Sequence, residues 1–205
     1  MHITPGTPEW EEFRKDKIGA SDAPIIMEVS PWTTPFQLWC ERLSLIEKRS
    51  INGAMLRGID LEEEARKKFE EENDVIVFPA TKISEEIPWM MATLDGIDLK
   101  QKIMVEIKCP GREDHLKALS GEIPLKYYPQ LQHQMYVAEL DFCFYFSYTL
   151  ESFITLKVNR DERYIDDMLK KEKSFYECLT GLYSPKLTQK DLRRRKPLSM
   201  FEMEI

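Results

Sequence analysis

The chain has 205 residues, of which 42% are hydrophobic and 32% are charged, as is ordinary for a folded globular protein. Its net charge of -7 excludes a surface coated in phosphate-binding cations, but it is compatible with a basic channel or an acidic metal site. No apolar run approaches the roughly 18–20 residues of a membrane span, and residues 1–13 lack the features of a secretion signal. We therefore expect a cytoplasmic protein that avoids membranes and folds as one domain over residues 1–205.

The first third of the chain predicts helices. Thr7 and Thr34 each place a capping hydroxyl directly before a proline, which is favoured at the first position of a helix. Ser21 and Asp22 can cap a short helix in the same way. A longer helix is predicted over about 54 to 72, so residues 7–72 form a helical N-terminal part.

The middle of the chain predicts strands, because β-branched and large apolar residues recur in short runs. Three strands are expected at 74–80, 89–97 and 102–109, and two more form a hairpin at 142–150 and 153–158. Helices are expected after Pro110-Gly111 and from Pro129 to Leu140, between the two groups of strands. The order predicts an α/β or α+β domain with a central mixed sheet and a catalytic core over residues 74–158.

The C-terminal part, residues 161–205, begins with a charged amphipathic helix over about 161 to 180. The last twenty residues contain the basic run 193–196 and are expected to form an extended or loosely packed tail. The four cysteines lie far apart and form no CxxC pair, so a zinc site has little support and packing roles are expected.

The second and third predicted strands place charged residues together. If Lys100-Gln101 forms a two-residue turn, opposing residues have numbers that sum to 201, and Asp95 lies opposite Glu106. Directly opposed residues share a face of the sheet, with Cβ atoms roughly 4.5–5.5 Å apart. Lys108 lies two residues beyond Glu106 and shares that face. The hairpin therefore predicts a cluster of two carboxylates and a lysine.

Such a cluster suits metal-dependent chemistry on a phosphate. Two close carboxylates repel each other unless a cation lies between them, and hard oxygen ligands favour Mg²⁺ or Mn²⁺. A neighbouring lysine can orient water or stabilise charge that develops on a phosphate. The alternative is a carboxylate–ammonium pair on a solvated face, which an isolated Glu-x-Lys on a strand usually forms. The preceding Asp-Gly and the Cys-Pro that ends the strand favour the metal site.

Glu62 is a further candidate. On a helical wheel it falls in the middle of a sector occupied by Leu61, Ala65 and Phe69, whereas its acidic neighbours fall outside that sector. A carboxylate among apolar side chains needs a partner or a metal ion. The alternative is a local ion pair with Arg66, one turn later.

These residues together resemble the PD-(D/E)XK nuclease superfamily, and more specifically the YqaJ-like viral recombinase family, to which phage lambda exonuclease belongs. The resemblance covers about Trp10 to Met168. One departure is Thr93-Leu94, where Ser/Thr-Pro is common. The matching segments, taken in order, are residues 10–23, 30–39, 57–66, 94–96, 105–110, 127–137 and 159–165.

The resemblance implies roles for individual residues. It implies that Asp95, Glu106 and the backbone carbonyl of Ile107 bind the metal ion, that Lys108 is the catalytic lysine, and that Glu62 is the helix carboxylate beside them.

Three further positions match the family's polar residues, and each has an alternative. Gln130 matches the active-site glutamine, although its neighbour Gln132 could take that role. Arg14 and Ser21 match residues that hold phosphate, including that of a 5′ end. Arg14 could instead be a surface residue, and Ser21 a helix cap.

The resemblance also implies a function: an exonuclease, dependent on Mg²⁺ or on Mn²⁺ as its substitute, that degrades linear double-stranded DNA from the 5′ end and leaves 3′ single-stranded overhangs for phage-type recombination. Its implied partners are double-stranded DNA ends, a single-strand annealing protein and two further copies in a homotrimer. The alternatives are an endonuclease or structure-specific nuclease of the same superfamily, and a DNA-end-binding or assembly protein without catalysis.

Overall fold

The computed structural model describes residues 7–47 and 53–194. The helices are α1 (Pro8–Arg14), α2 (Ala23–Ile26), α3 (Pro35–Arg42), α4 (Gly53–Asn73), α5 (Arg112–Leu119), α6 (Tyr128–Ala138), α7 (Glu162–Thr180) and α8 (Gln189–Arg194). The strands are β1 (Ile18–Gly19), β2 (Phe78–Ile83), β3 (Met90–Asp98), β4 (Ile103–Lys108), β5 (Phe142–Tyr148) and β6 (Phe153–Asn159).

The strands form one six-stranded sheet in the order β1-β3-β4-β5-β6, with β2 also paired to β3. The β1–β3 and β4–β5 pairs are parallel, whereas β2–β3, β3–β4 and β5–β6 are antiparallel. The predicted mixed sheet is therefore confirmed.

The two faces of the sheet are covered by different helices. Met104 of β4 belongs to a core cluster with Leu131 and Met135 of α6, whereas the next residue, Val105, packs with Phe69 of α4 on the other side. This alternation follows from the two-residue period of side chains along a strand. Helices α4 and α6 thus lie on opposite faces of β4, and each can bring side chains to that strand.

The predicted helix starts at Thr7 and Thr34 are confirmed. The Thr7 hydroxyl accepts a hydrogen bond from the Trp10 backbone N–H, and Thr34 forms a capping box with Gln37. The predicted start of α2 is confirmed, since Asp22 occupies the N-cap position, but the Asp22 side chain makes no cap bond and Ser21 is exposed.

The first predicted strand, 74–80, is displaced: β2 begins at Phe78 and runs on to Ile83. Val75 and Val77 are buried against the core that includes Phe69, but they lie outside the strand. Glu70 of α4 holds this stretch, since it accepts hydrogen bonds from Val75 N through its backbone oxygen and from Val77 N through its carboxylate. The apolar pattern at Val75 and Val77 therefore reflects packing against α4, and it does not indicate a strand.

The C-terminal segment is better packed than predicted as far as Arg194. Asp191 of α8 is buried and accepts hydrogen bonds from the Thr34 hydroxyl and from the backbone N–H of Thr188. The Thr188 hydroxyl in turn accepts from the Asp191 backbone N–H and so caps α8. Lys190 donates to the backbone oxygens of Ser30 and Pro31. The rest of the predicted tail, residues 195–205, lies outside the described residues.

The four cysteines are free thiols, three of them buried, in agreement with packing roles. Within residues 7–47 and 53–194, no helix is long and apolar enough to cross a membrane.

Candidate active site

The β3–β4 hairpin has the predicted register. Gly96 pairs with Val105, Ile97 with Met104 and Asp98 with Ile103, so each pair of numbers sums to 201. The connection is a four-residue loop instead of the predicted two-residue turn. In this loop, residues 99–102, Lys102 has a positive φ of 55°. The Asp98 carboxylate accepts hydrogen bonds from the backbone N–H groups of Lys100 and Gln101.

The glycine after Asp95 has a steric role. A Cβ at Gly96 would lie 2.5 Å from Val77 Cγ2 and 2.9 Å from Val105 Cγ1. Only glycine allows these two buried valines to close over the strand at this point. The close packing of Val77 and Val105 against Gly96 therefore restricts the backbone beside Asp95.

Glu106 is the centre of the site. Its side chain is 2% exposed, and three side chains donate to its carboxylate. Lys108 forms an ion pair with Oε1, Gln130 donates to Oε1 at 2.6 Å, and Gln134 donates to Oε2. A buried carboxylate needs such partners to remain charged.

Asp95 lies beside Glu106, and its Oδ2 accepts a hydrogen bond from the backbone N–H of Ile107 at 2.8 Å. Burial, followed by the charges of Glu106 and Glu62, raises the pKa of Asp95 well above its usual range. Burial also opposes the charge on Lys108, but Glu106 and Asp95 outweigh it and raise the pKa of the lysine. The lysine therefore stays protonated, and its single positive charge interacts with both carboxyl groups.

Glu62 lies at the edge of this cluster, close enough for its charge to raise the pKa of Asp95. Its side chain is 43% exposed and lies 3.7 Å from Arg66, which also donates to the backbone oxygen of Asp95. The predicted apolar surroundings are therefore wrong. Ile59 is 62% exposed, and burial on that face of α4 begins only at Ala65.

The charges fit a divalent cation. Three carboxylates, those of Asp95, Glu106 and Glu62, face two cations, those of Lys108 and Arg66. Burial and the Glu106 carboxylate disfavour the charged form of Asp95, a cost that a bound cation would relieve, and oxygen donors of this kind suit Mg²⁺ or Mn²⁺. Among the described residues, no group of three or more His, Cys, Asp or Glu side chains is already arranged to hold a metal ion. Any metal site would thus combine two carboxylates with backbone or water oxygens.

Two glutamines of α6, Gln130 and Gln132, make different contacts. Gln130 reaches Glu106, whereas Gln132 donates to the backbone oxygen of Asn159 and accepts from the backbone N–H of Asp161. The contacts therefore favour Gln130 over Gln132 as the site residue.

Gln134 was missed by the sequence reasoning. It is fully buried and donates to both Glu106 and the backbone oxygen of Thr93, 3.2 Å away. The missed signal was its spacing of four residues from Gln130, which places the two amides on one helix face.

Arg14 and Ser21 lie near each other, around Gly19. An added Cβ on that glycine would lie 3.6 Å from Arg14 Nη2 and 4.0 Å from Ser21 Oγ. Arg14 lies 3.4 Å from the buried carboxylate of Asp22, which also pairs with Arg42. Arg14 is therefore oriented by Asp22, and its side chain remains 24% exposed.

This mixed sheet, with a carboxylate on each strand of one hairpin and a lysine beside them, is the restriction-endonuclease-like arrangement of the PD-(D/E)XK nucleases. The chain matches the YqaJ-like viral recombinase domain over residues 9–141 and belongs to that family. The uncharacterized protein YqaJ of Bacillus subtilis (strain 168) is 29% identical over 174 residues, which are 82% of this chain and 54% of that protein. The chain thus spans about half the length of that relative.

Solved structures agree with this family. The alkaline exonuclease LHK-Exo of Laribacter hongkongensis is 26% identical, with a TM-score of 0.73 over 86% of this chain and 94% of that one. The same enzyme in complex with dAMP matches with a TM-score of 0.72. A phage-related exonuclease from Haemophilus somnus 129PT shares the fold at 14% identity, with a TM-score of 0.63 over 81% of this chain and 96% of that one.

Proposed function

We propose that this chain is a Mg²⁺-dependent exonuclease that acts as one nuclease domain on linear double-stranded DNA, from the 5′ end, and leaves 3′ overhangs. The observation that carries the proposal is the buried cluster of Asp95 and Glu106 with Lys108, in which burial and the Glu106 carboxylate raise the pKa of Asp95. The similarity to an alkaline exonuclease over most of both chains supports it.

In this proposal the residues have distinct tasks. Asp95, Glu106 and the Ile107 carbonyl hold the metal ion, which supplies Lewis-acid activation of water and phosphate when it is bound. Lys108 stays protonated and stabilises charge that develops on the phosphate. Gln130 holds Glu106 in place, and Glu62 adds a carboxylate at the open side.

The test is digestion of duplexes labelled separately at the 5′ and 3′ ends, beside a sealed circle of the same sequence. We expect release of nucleotides from the 5′-labelled end of linear DNA and none from the circle. Cutting of the circle would favour an endonuclease. Binding of ends without any release would favour an assembly protein.

The choice of metal ion is a separate prediction. Mg²⁺ and Mn²⁺ should both support hydrolysis, whereas Ca²⁺ should bind without turnover because its coordination shell is larger and looser. The measurement is the initial rate of nucleotide release after EDTA treatment and addition of each ion. Full activity in Ca²⁺, or activity that survives EDTA, would contradict a mechanism based on Asp95 and Glu106.

Recognition of a 5′-phosphate is predicted to depend on Arg14, with Ser21 as a second contributor. A guanidinium offers paired donors for phosphate oxygens, each charge-assisted bond contributing about 1.5–3 kcal/mol. A 5′-phosphorylated duplex should therefore be digested about 10- to 100-fold faster than a 5′-hydroxyl duplex.

Arg14→Ala should remove most of that difference, and Arg14→Lys should restore it only in part. Lys15→Ala, a change of the exposed neighbouring cation, is the matched control and should preserve it. Equal rates on both ends by the wild-type chain would exclude this role for Arg14.

The assembly is also part of the proposal. On the family resemblance, we expect a homotrimer that works beside a single-strand annealing protein. Light scattering with DNA present measures the oligomeric state. Co-purification with a single-strand annealing protein tests the partner.

A further inference from the structure

Trp32 presents an aromatic ring to solvent close to the candidate active site. The residue is 58% exposed, whereas Trp10 and Trp39 are buried and Trp89 stacks on Tyr176 with ring centroids 4.9 Å apart. Of the four tryptophans, Trp32 is therefore the one whose ring is most accessible to a ligand.

Cations and rings alternate from Trp32 towards the site. The Lys126 ammonium lies 4.7 Å from the centre of the Trp32 ring and 5.2 Å from that of Tyr127. The Tyr127 ring in turn lies 5.5 Å from the ammonium of Lys108. We call these residues, Trp32, Lys126 and Tyr127, the aromatic track. It ends at the lysine that pairs with Glu106.

The aromatic track is held rigidly at both ends. Ser30 Oγ accepts from the backbone N–H of Trp32 at 3.3 Å, and Lys190 donates to the backbone oxygens of Ser30 and Pro31. At the other end, Asp114 of α5 pairs with Lys126 and accepts from the Tyr127 hydroxyl at 3.4 Å. A prearranged surface loses little conformational entropy when a ligand binds.

We propose that the aromatic track is a binding subsite for an unpaired nucleotide of single-stranded DNA, with the base stacked on Trp32 and a backbone phosphate on Lys126. Single-strand binding sites combine aromatic rings with cations in this way, because every base has a face that can stack. An ammonium has three donors, so its pair with Asp114 leaves donors for phosphate oxygens. That this single strand is the one hydrolysed beside Lys108 rests on the proposed function.

Stacking is tested by binding a fluorescein-labelled oligothymidylate to the wild-type chain in EDTA, where no hydrolysis occurs. Trp32→Ala should weaken binding by about 5- to 150-fold, the range for the loss of one stacked base. Trp32→Phe should keep most of the affinity but lose the quenching of tryptophan fluorescence by unlabelled oligonucleotide. Phe78→Ala removes a ring of similar exposure (67%) from β2 and should change neither quantity.

The role of Lys126 is tested by two substitutions with opposite expected signs. Lys126→Gln should weaken binding and reduce the slope of log affinity against log salt by about 0.7, the value for one phosphate contact in single strands. Asp114→Asn removes the competing negative charge but keeps an oxygen that can accept from the Tyr127 hydroxyl, so it should strengthen binding. If Lys126 served only to pair with Asp114, both substitutions would act through the fold and lower affinity alike.

The outcomes separate this inference from the proposed function. Lys108→Ala should lose hydrolysis and keep the tryptophan quenching, because binding in EDTA needs no catalysis. Quenching without any nuclease activity in the wild-type chain would refute the proposed function alone. Unchanged affinity of Trp32→Ala, in a chain that does hydrolyse DNA, would refute the aromatic track alone.

Discussion

Asp95→Asn should reduce Mg²⁺-dependent hydrolysis by about 10³-fold or more, because it removes a charged oxygen ligand that contributes several kcal/mol to stabilising the transition state. Asparagine keeps the shape of the side chain and can still accept the hydrogen bond from the Ile107 backbone N–H. Removal of one buried carboxyl group also relieves its repulsion with Glu106, so the fold should be at least as stable as the wild type.

The measurement is the rate of nucleotide release from linear duplex, together with the urea midpoint of unfolding. Asp98→Asn is the matched control, since it makes the same chemical change on the same strand, and asparagine can still cap Lys100 and Gln101. Glu106→Ala should be equally inactive. Lys108→Ala should lower the rate sharply while metal binding is largely kept, because lysine is not a ligand. Hydrolysis by Asp95→Asn at the wild-type rate would remove the carboxylate from the mechanism.

The sequence predicted the hairpin correctly because strand geometry has a fixed period of two. Once β3 and β4 were recognised from their apolar residues, Asp95, Glu106 and Lys108 could lie on only one face for a given register. The exact turn was not needed, since the four-residue loop that formed preserves the same sum of residue numbers. The mixed sheet was predictable from the order of the elements, because helices lie between two groups of strands that are rich in β-branched and aromatic residues.

Long-range polar contacts could not be predicted in the same way. Gln134 is one of three glutamines on α6, and only the packing of that helix against β3 and β4 directs it to Glu106. Helix α4 illustrates the opposite error. Its wheel gave Glu62 an apolar setting, but a wheel does not reveal which part of a helix extends past the sheet. Strand β1 is only two residues long, too short to have a recognisable pattern.

The helix that holds these glutamines is fixed by a buried pair, and breaking that pair should have a large effect on stability. His133 of α6 is fully buried, with Nδ1 2.8 Å from Glu172 of α7 and Nε2 3.0 Å from the backbone oxygen of Met91. Both ring nitrogens thus face acceptors, which favours the doubly protonated ring. Burial opposes this charge, but Glu172 and the Met91 carbonyl outweigh it and raise the pKa of His133.

His133→Leu should therefore cost about 3–5 kcal/mol of the free energy of unfolding, because it leaves the Glu172 carboxylate buried without its cation. Glu172 Oε2 already lacks a hydrogen-bond partner within the described residues, so nothing there can compensate. The double variant His133→Leu/Glu172→Met should recover most of the loss, since an apolar pair of similar volume has no charge to desolvate. The measurement is the free energy of unfolding in urea at pH 6 for the wild type, the single variant and the double variant.

The same pair sets a pH dependence. A histidine whose pKa is raised on folding contributes its full stabilisation below the unfolded value of about 6.5, and this contribution is lost as the pH rises through the folded value. The difference in unfolding free energy between the wild type and the double variant His133→Leu/Glu172→Met, in which neither position titrates, should therefore be largest near pH 6 and shrink towards alkaline pH. A difference that stays constant, or that grows as the pH rises, would mean that His133 is neutral in the folded chain and that hydrogen bonds alone hold α6 against β3.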